Sequence, residues 1–138
     1  VKKLRTLLIR LGKIKFFDPA CGSGNFLIIA YKAIRELEIE IWERIKTLQG
    51  GQSEFPFSNI TLQQFYGIEI DEYACDTATL SLWLAEHQMN NKFYERLGTR
   101  PDALPLRPSG HIVCGNAFRV LWFREGRRNH SRSSQCIT

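Results

Sequence analysis

The 138 residues contain no Cys-x-x-Cys pair, no two adjacent prolines and a single methionine, Met89. Each of these absences excludes something. The four cysteines, at 21, 75, 114 and 136, lack the spacing of a zinc site or a disulfide framework, and are expected to be free thiols in a reducing compartment. No apolar run approaches the roughly 20 residues of a membrane span. The head Val1-Lys2-Lys3-Leu4-Arg5 carries the charge of a signal peptide, but Arg10, Lys13 and Lys15 interrupt any apolar stretch and no small-residue cleavage site follows. No membrane partner is expected, and a cytoplasmic location is. Asn59-Ile60-Thr61 fits a glycosylation acceptor; with nothing else pointing to secretion it reads as accidental.

A single basic groove is also missing. The net charge of +5 comes from the two ends: Lys2, Lys3, Arg5, Arg10, Lys13 and Lys15, then Arg119, Arg124, Arg127, Arg128 and Arg132. The middle is nearly balanced. Such a charge suits a phosphate-bearing partner only weakly, and solvated ends are the plainer reading. The length is that of about one domain, and 43% apolar with 24% charged residues is an ordinary globular composition.

The informative stretch is Phe16-Phe17-Asp18-Pro19-Ala20-Cys21-Gly22-Ser23-Gly24-Asn25-Phe26-Leu27. It reads as a strand ending in a carboxylate, a loop that lets a ligand approach the backbone, and a helix N-terminus aimed at the same point. Such a corner binds a nucleotide-like cofactor at the carboxyl end of a parallel strand. A dinucleotide fingerprint would need a third glycine where Leu27 stands, and an acid about 20 residues on. A P-loop would need a lysine after the glycines. Neither is present.

The string Asp18 to Phe26 resembles motif I of the S-adenosylmethionine-dependent amino-methyltransferases. The resemblance is closest to adenine-N6 DNA methyltransferases of the restriction-modification type, whose signature Asp-Pro-Ala-Cys-Gly-Ser-Gly-Asn-Phe it matches throughout. It implies that Asp18, Pro19, Ala20, Cys21, Gly22, Ser23, Gly24, Asn25 and Phe26 line a site for S-adenosyl-L-methionine. That cofactor carries a sulfonium cation, an amino acid zwitterion and a ribose, but no phosphate. Asp18 can attract its cationic end, helix N–H groups can meet its carboxylate, and side chains at 22 and 24 would block its approach.

Two further blocks follow. Phe65 to Asp71 alternates apolar and polar residues and passes directly into a helical pattern, so it reads as a second strand ending in Glu69. By itself Glu69 could be an ordinary charged strand end. The resemblance implies that it binds both ribose hydroxyls, which two carboxylate oxygens can do, and that Ile70 packs on the adenine ring. Asp71 is placed as a helix N-cap. In His111-Ile112-Val113-Cys114-Gly115-Asn116-Ala117-Phe118 a short strand ends before Asn116, either a turn former or, as the resemblance implies, a reader of the adenine amino group.

Residues 2–11 carry a leucine stripe, residues 13–18 form the first strand, and Asn25 to about Leu48 is a long helix ended by Gly50-Gly51. Leu27, Ile34, Leu37, Ile41, Ile45 and Leu48, widened by Tyr31 and Trp42, are its expected core face. Glu72 to about Met89 is the next helix, with Ala74, Ala78, Leu82 and Ala85 for close packing; Trp83 and His87 lie on other faces, His87 at the surface. Residues 98–110, with Pro101, Pro105 and Pro108, form an extended connection. The β-α-β-α-β order implies a parallel α/β sheet. With the resemblance, the fold class is a Rossmann-like class I methyltransferase fold, incomplete, with about three parallel strands and flanking helices. The cofactor-binding part is assigned to residues 1–122, and residues 123–138 to a disordered basic tail.

The related enzymes orient the target amine with an (Asp/Asn)-Pro-Pro-aromatic motif. The prolines here stand at 19, 56, 101, 105 and 108; that motif is absent. No target-recognition region is recognisable either. The chain therefore reads as part of a longer adenine-specific DNA methylase, with no catalytic residue of its own and no metal. It is expected to be inactive alone, its partners being double-stranded DNA through the intact protein and the missing catalytic half or subunit. The tail composition would also fit read-through after a frameshift. The alternatives are a non-catalytic cofactor- or subunit-binding module, and a methyltransferase acting on RNA or protein.

Overall fold

The computed structural model describes residues 1–51, 55–99 and 110–119. In chain order these form α1 (Lys2–Leu11), β1 (Phe16–Asp18), α2 (Asn25–Leu48), a 3-10 turn (Leu62–Gln64), β2 (Phe65–Glu69), α3 (Glu72–Leu97) and β3 (His111–Cys114). The three strands are parallel in the order β1-β2-β3, with β2 in the centre. The register pairs Phe16 with Phe65 and Asp18 with Gly67, then Tyr66 with His111 and Glu69 with Cys114. All three strands therefore end on the same side, which collects Asp18, Glu69 and Cys114. The proline-bearing connection at 100–109 and the basic tail at 123–138 lie outside the described residues.

Aromatic packing fixes the sheet against α2. Phe16 stacks on Phe65 at 4.8 Å, and the Tyr31 ring meets Phe65 edge-on at 5.4 Å. Leu27, Tyr31, Ile34, Ile41, Trp42 and Ile45 of α2 are buried, as the stripe predicts. Leu37 and Leu48 are not; they are 40% and 52% exposed. Arg35, Glu38 and Ile39 are buried instead. At about 100° per residue the buried positions run from Ile41 round through Glu38 to Ile39, and Leu37 and Leu48 fall just beyond the Ile41 edge of that face.

A polar cluster makes that burial tolerable. Glu38 accepts from the Ser58 hydroxyl at 2.7 Å and the Asn59 amide at 2.9 Å, and lies 3.5 Å from the Arg35 guanidinium. Arg35 also donates to Ser58 and Asn90 and lies over the Phe93 ring. Burial pushes the Glu38 carboxyl up, against the pull of Arg35 and Ser58. Gln64 works in the same way between elements: Nε2 donates to Leu11 O at 2.9 Å and Ile14 O at 2.8 Å, tying the end of α1 to the start of β2.

Two boundaries differ from the sequence expectation. Residues 13–15 are not strand, because Lys13 N and Ile14 N still bond back to Arg10 O and Leu11 O in the turn that closes α1. Helix α3 runs past Met89 to Leu97: Phe93 is fully buried, Arg96 pairs with Glu43 and Glu36 of α2, and Gly98 in the left-handed region ends it. No helix among the described residues is long and apolar enough to cross a membrane.

Candidate cofactor corner

Local backbone chemistry builds the loop after β1. Asp18 Oδ1 accepts from Ala20 N at 3.1 Å, turning the chain at Pro19, and Cys21 N donates to Ile68 O of β2 at 2.9 Å. Gly24 N returns to Cys21 O at 2.8 Å and α2 begins. Gly22 and Gly24 have φ of +53° and +85°, a region that side-chain-bearing residues rarely occupy. Their surroundings differ. A β-carbon on Gly22 would meet nothing within 4 Å, whereas one on Gly24 would lie 3.1 Å from the Ala78 methyl. The space at Gly22 is open to a ligand; the space at Gly24 is filled by α3.

Helix α2 starts on Gly24 with no side-chain cap and no acid in its first turn. Its first N–H groups and the positive end of its dipole are thus left for an anionic group. Helix α3 differs, because Asp71 caps it by accepting from Ala74 N at 3.1 Å, as its position predicts.

Glu69 joins the two halves. Its Oε2 accepts from Gly22 N at 2.9 Å, and its Oε1 accepts from Ile70 N at 2.8 Å and Asp71 N at 3.0 Å. These N–H groups, Asp71 first and then Gly22, hold its carboxyl below the usual carboxylate range. Beside it Ile70 is 71% exposed, and Phe26 on the first turn of α2 is 54% exposed. Cys21 points away from solvent. It is buried against Gly67, and burial, then the nearby Asp18 and Glu69, push its thiol up to about 11.

The structure brings Asp18 to Phe26 together with Glu69 and Ile70 through the Gly22–Glu69 bond. Asn116 stands on the next strand end, where Gly115 N donates to Glu69 O at 2.7 Å. Its Oδ1 accepts from Phe118 N at 2.9 Å and so shapes its own turn. Pro19, Ala20, Ser23, Asn25 and Asn116 are exposed. Among the described residues no group of three or more metal-binding side chains occurs. Two clefts beside the segment from Phe55 to Thr61 share no residue with this corner.

The model of the MmeI DNA-methyltransferase domain family matches residues 1–136. The chain belongs to that family. This MmeI-type domain is 56% identical over 122 residues to DNA methyltransferase A of Bacillus subtilis, covering 87% of this chain and 14% of that protein. It is 35% identical over 133 residues to a Methanocaldococcus jannaschii protein whose name joins type II restriction enzyme and methyltransferase, covering 96% of this chain and 11% of that protein. A solved structure of the type IIL restriction-modification enzyme MmeI in complex with DNA superposes with a TM-score of 0.78 at 40% identity, over 88% of this chain and 16% of that one. The chain thus spans about one-sixth or less of the length of the relatives it matches.

Two residues at the corner were missed in the sequence. Gly67 is central in β2, and a β-carbon there would lie 2.8 Å from Cys21 Sγ and 2.9 Å from Ile112 Cδ1. A glycine inside a strand pattern signals such a close approach. Ala78 was assigned to helix packing, but nothing in its spacing points to Gly24 as the partner.

Proposed function

We propose that this MmeI-type domain is the S-adenosyl-L-methionine-binding part of an adenine-N6 DNA methyltransferase. The observation that carries the reading is the bond from Gly22 N to Glu69 Oε2, which makes the two cofactor motifs one surface. The fit to that ligand is chemical. The uncapped start of α2 suits the amino acid carboxylate, and Asp18 suits its ammonium. Glu69 Oε1 is filled by the Ile70 and Asp71 amides, whereas Oε2 takes only the Gly22 amide and keeps one acceptor site for a ribose hydroxyl, a second hydroxyl having to displace an amide. Exposed Ile70 offers an apolar surface to the adenine ring, and Asn116 a polar edge.

When bound, this cofactor supplies an electrophilic methyl group on a sulfonium. The residues of this chain hold and orient it. Groups that would hold a target amine in line are absent, since the sequence has no Pro-Pro motif. Transfer to DNA therefore belongs to the longer protein, a reading supported by the DNA-bound MmeI relative.

Calorimetric titration with S-adenosylhomocysteine tests the proposal. Saturable binding that weakens roughly ten-fold or more in Glu69→Ala is expected. A folded chain that binds neither S-adenosylhomocysteine nor S-adenosylmethionine would overturn it.

A further inference from the structure

A cleft of about 640 Å³ opens between α2, α3 and the segment from Phe55 to Thr61, and shares no residue with the cofactor corner. Its volume is that of a small-ligand site, in which apolar walls carry a few placed polar groups. The apolar wall is Phe55, Pro56 and Phe57, with the two rings 85% and 59% exposed. Phe57 is nonetheless fixed. Its carbonyl accepts from Trp42 Nε1 at 3.1 Å, and its ring meets the Trp42 ring edge-on at 5.6 Å.

Two charged residues, Arg35 and Glu86, line this cleft. The Arg35 charge is compensated within the protein. Glu38 lies 3.5 Å from its guanidinium, Asn90 Oδ1 accepts from Nη2 at 3.0 Å, and Nη1 donates to Ser58 and to Ile60 O. Glu86, one turn before Asn90 on α3, is only half-buried and has no such partners. Among the described residues its carboxylate makes no hydrogen bond and no ion pair. Burial raises its carboxyl, with Arg35 pulling the other way. Set against the Arg35–Glu38 pair, Glu86 is the uncompensated charge of the cleft, and it faces the same space as two phenyl rings. A partly desolvated carboxylate without a partner costs free energy that a bound cation would offset.

We propose that this cleft binds an organic cation, a guanidinium by preference, with Glu86 accepting its N–H groups and the Phe55 and Phe57 rings flanking it. A guanidinium gives a carboxylate two parallel hydrogen bonds and lies flat on an aromatic face, whereas an ammonium is a point charge. Arginine side chains of polypeptides and free guanidino compounds both carry this group. The site stands apart from cofactor binding, because its residues are not those of the corner.

The test is an NMR titration of the 138-residue chain with N-acetylarginine amide, with agmatine, and with N-acetylcitrulline amide, which keeps the shape but not the charge. Saturable shifts of the Glu86 and Asn90 amides are expected with the two guanidinium compounds and not with the citrulline one. Tighter binding of the arginine amide would assign the site to a polypeptide side chain, and tighter binding of agmatine to a free guanidino compound. Glu86→Gln should weaken binding roughly ten-fold or more, the scale of a charge-assisted hydrogen bond. Phe55→Leu, which removes an exposed ring without opening the core, should weaken it roughly two- to five-fold. Circular dichroism checks that both variants are folded. No shifts with either guanidinium compound, equal binding of the citrulline compound, or unchanged affinity in folded Glu86→Gln would overturn the proposal.

Discussion

Gly24 lies against Ala78, so that a β-carbon on the glycine would come within 3.1 Å of the alanine methyl. Gly22, two residues earlier, faces open space. Both occupy the left-handed region, so alanine at either position is strained by about 1–3 kcal/mol. Only Gly24→Ala adds a steric clash with α3. In urea denaturation Gly24→Ala should lose more stability than Gly22→Ala, whereas in calorimetry Gly22→Ala should lose cofactor affinity. Equal stability losses would show that the contact with Ala78 relaxes freely.

The buried Arg35–Glu38 pair gives a second prediction. Both side chains are almost wholly inaccessible; Glu38 is held by Ser58 and Asn59, and Arg35 by Ser58, Asn90 and Ile60 O, with only its Nε lacking a hydrogen-bond partner among the described residues. Arg35→Met removes the positive partner and leaves a buried carboxylate, at an expected cost of about 3–5 kcal/mol. The pH dependence has a definite sign. Because burial raises the Glu38 carboxyl, the folded chain holds that proton more tightly than the unfolded chain does. This contribution is present below the ordinary carboxylate value and is lost as pH rises toward the raised folded one. Glu38→Gln lacks this slope, so wild type should gain relative to the variant as pH falls through that window. A difference in unfolding free energy that is flat with pH would count against it.

The sequence carried the corner and concealed most of its support. Asp18 and Glu69 were legible as strand ends and Gly22 and Gly24 as the turn between strand and helix, and Asp71 because an N-cap is a local rule. Arg35 and Glu38 were not legible, since charged residues in a helix read as solvent-facing until Ser58 and Asn90 arrive from distant segments. The end of α3 was missed for a similar reason. After Met89 its residues are polar or charged apart from Phe93, Tyr94 and Leu97, and it is the Arg96 pairs with Glu43 and Glu36 that continue the helix along α2.

Asn116 separates turn formation from ligand reading. Its Oδ1 accepts from Phe118 N, an acceptor that aspartate would also supply. An adenine amino group needs an acceptor as well, so Asn116→Asp should retain binding of S-adenosylhomocysteine. Asn116→Ala should weaken it several-fold, by roughly the worth of one hydrogen bond. Equal, unchanged affinities in both variants would assign Asn116 to the turn alone.

Glu69 gives the last prediction. Its carboxyl is held below the usual range by the amides of Asp71 and Gly22, with Ile70 contributing. A lowered folded value means that the carboxylate persists as pH falls past the point where a free glutamate would protonate, near 4.3. Stability and acceptor capacity from this group are present above that ordinary value and are lost only as pH drops through the lower folded one. Cofactor affinity should therefore show no Glu69 titration between pH 5 and 8, and should fall only in more acid solution. Protonation would release the Gly22 amide and remove the proposed ribose acceptor with it, so the chemical shift of the Gly22 amide should move over the same pH range as the affinity. An amide titration centred at or above the free-glutamate value would mean that the three backbone donors do not hold this carboxylate as the geometry requires.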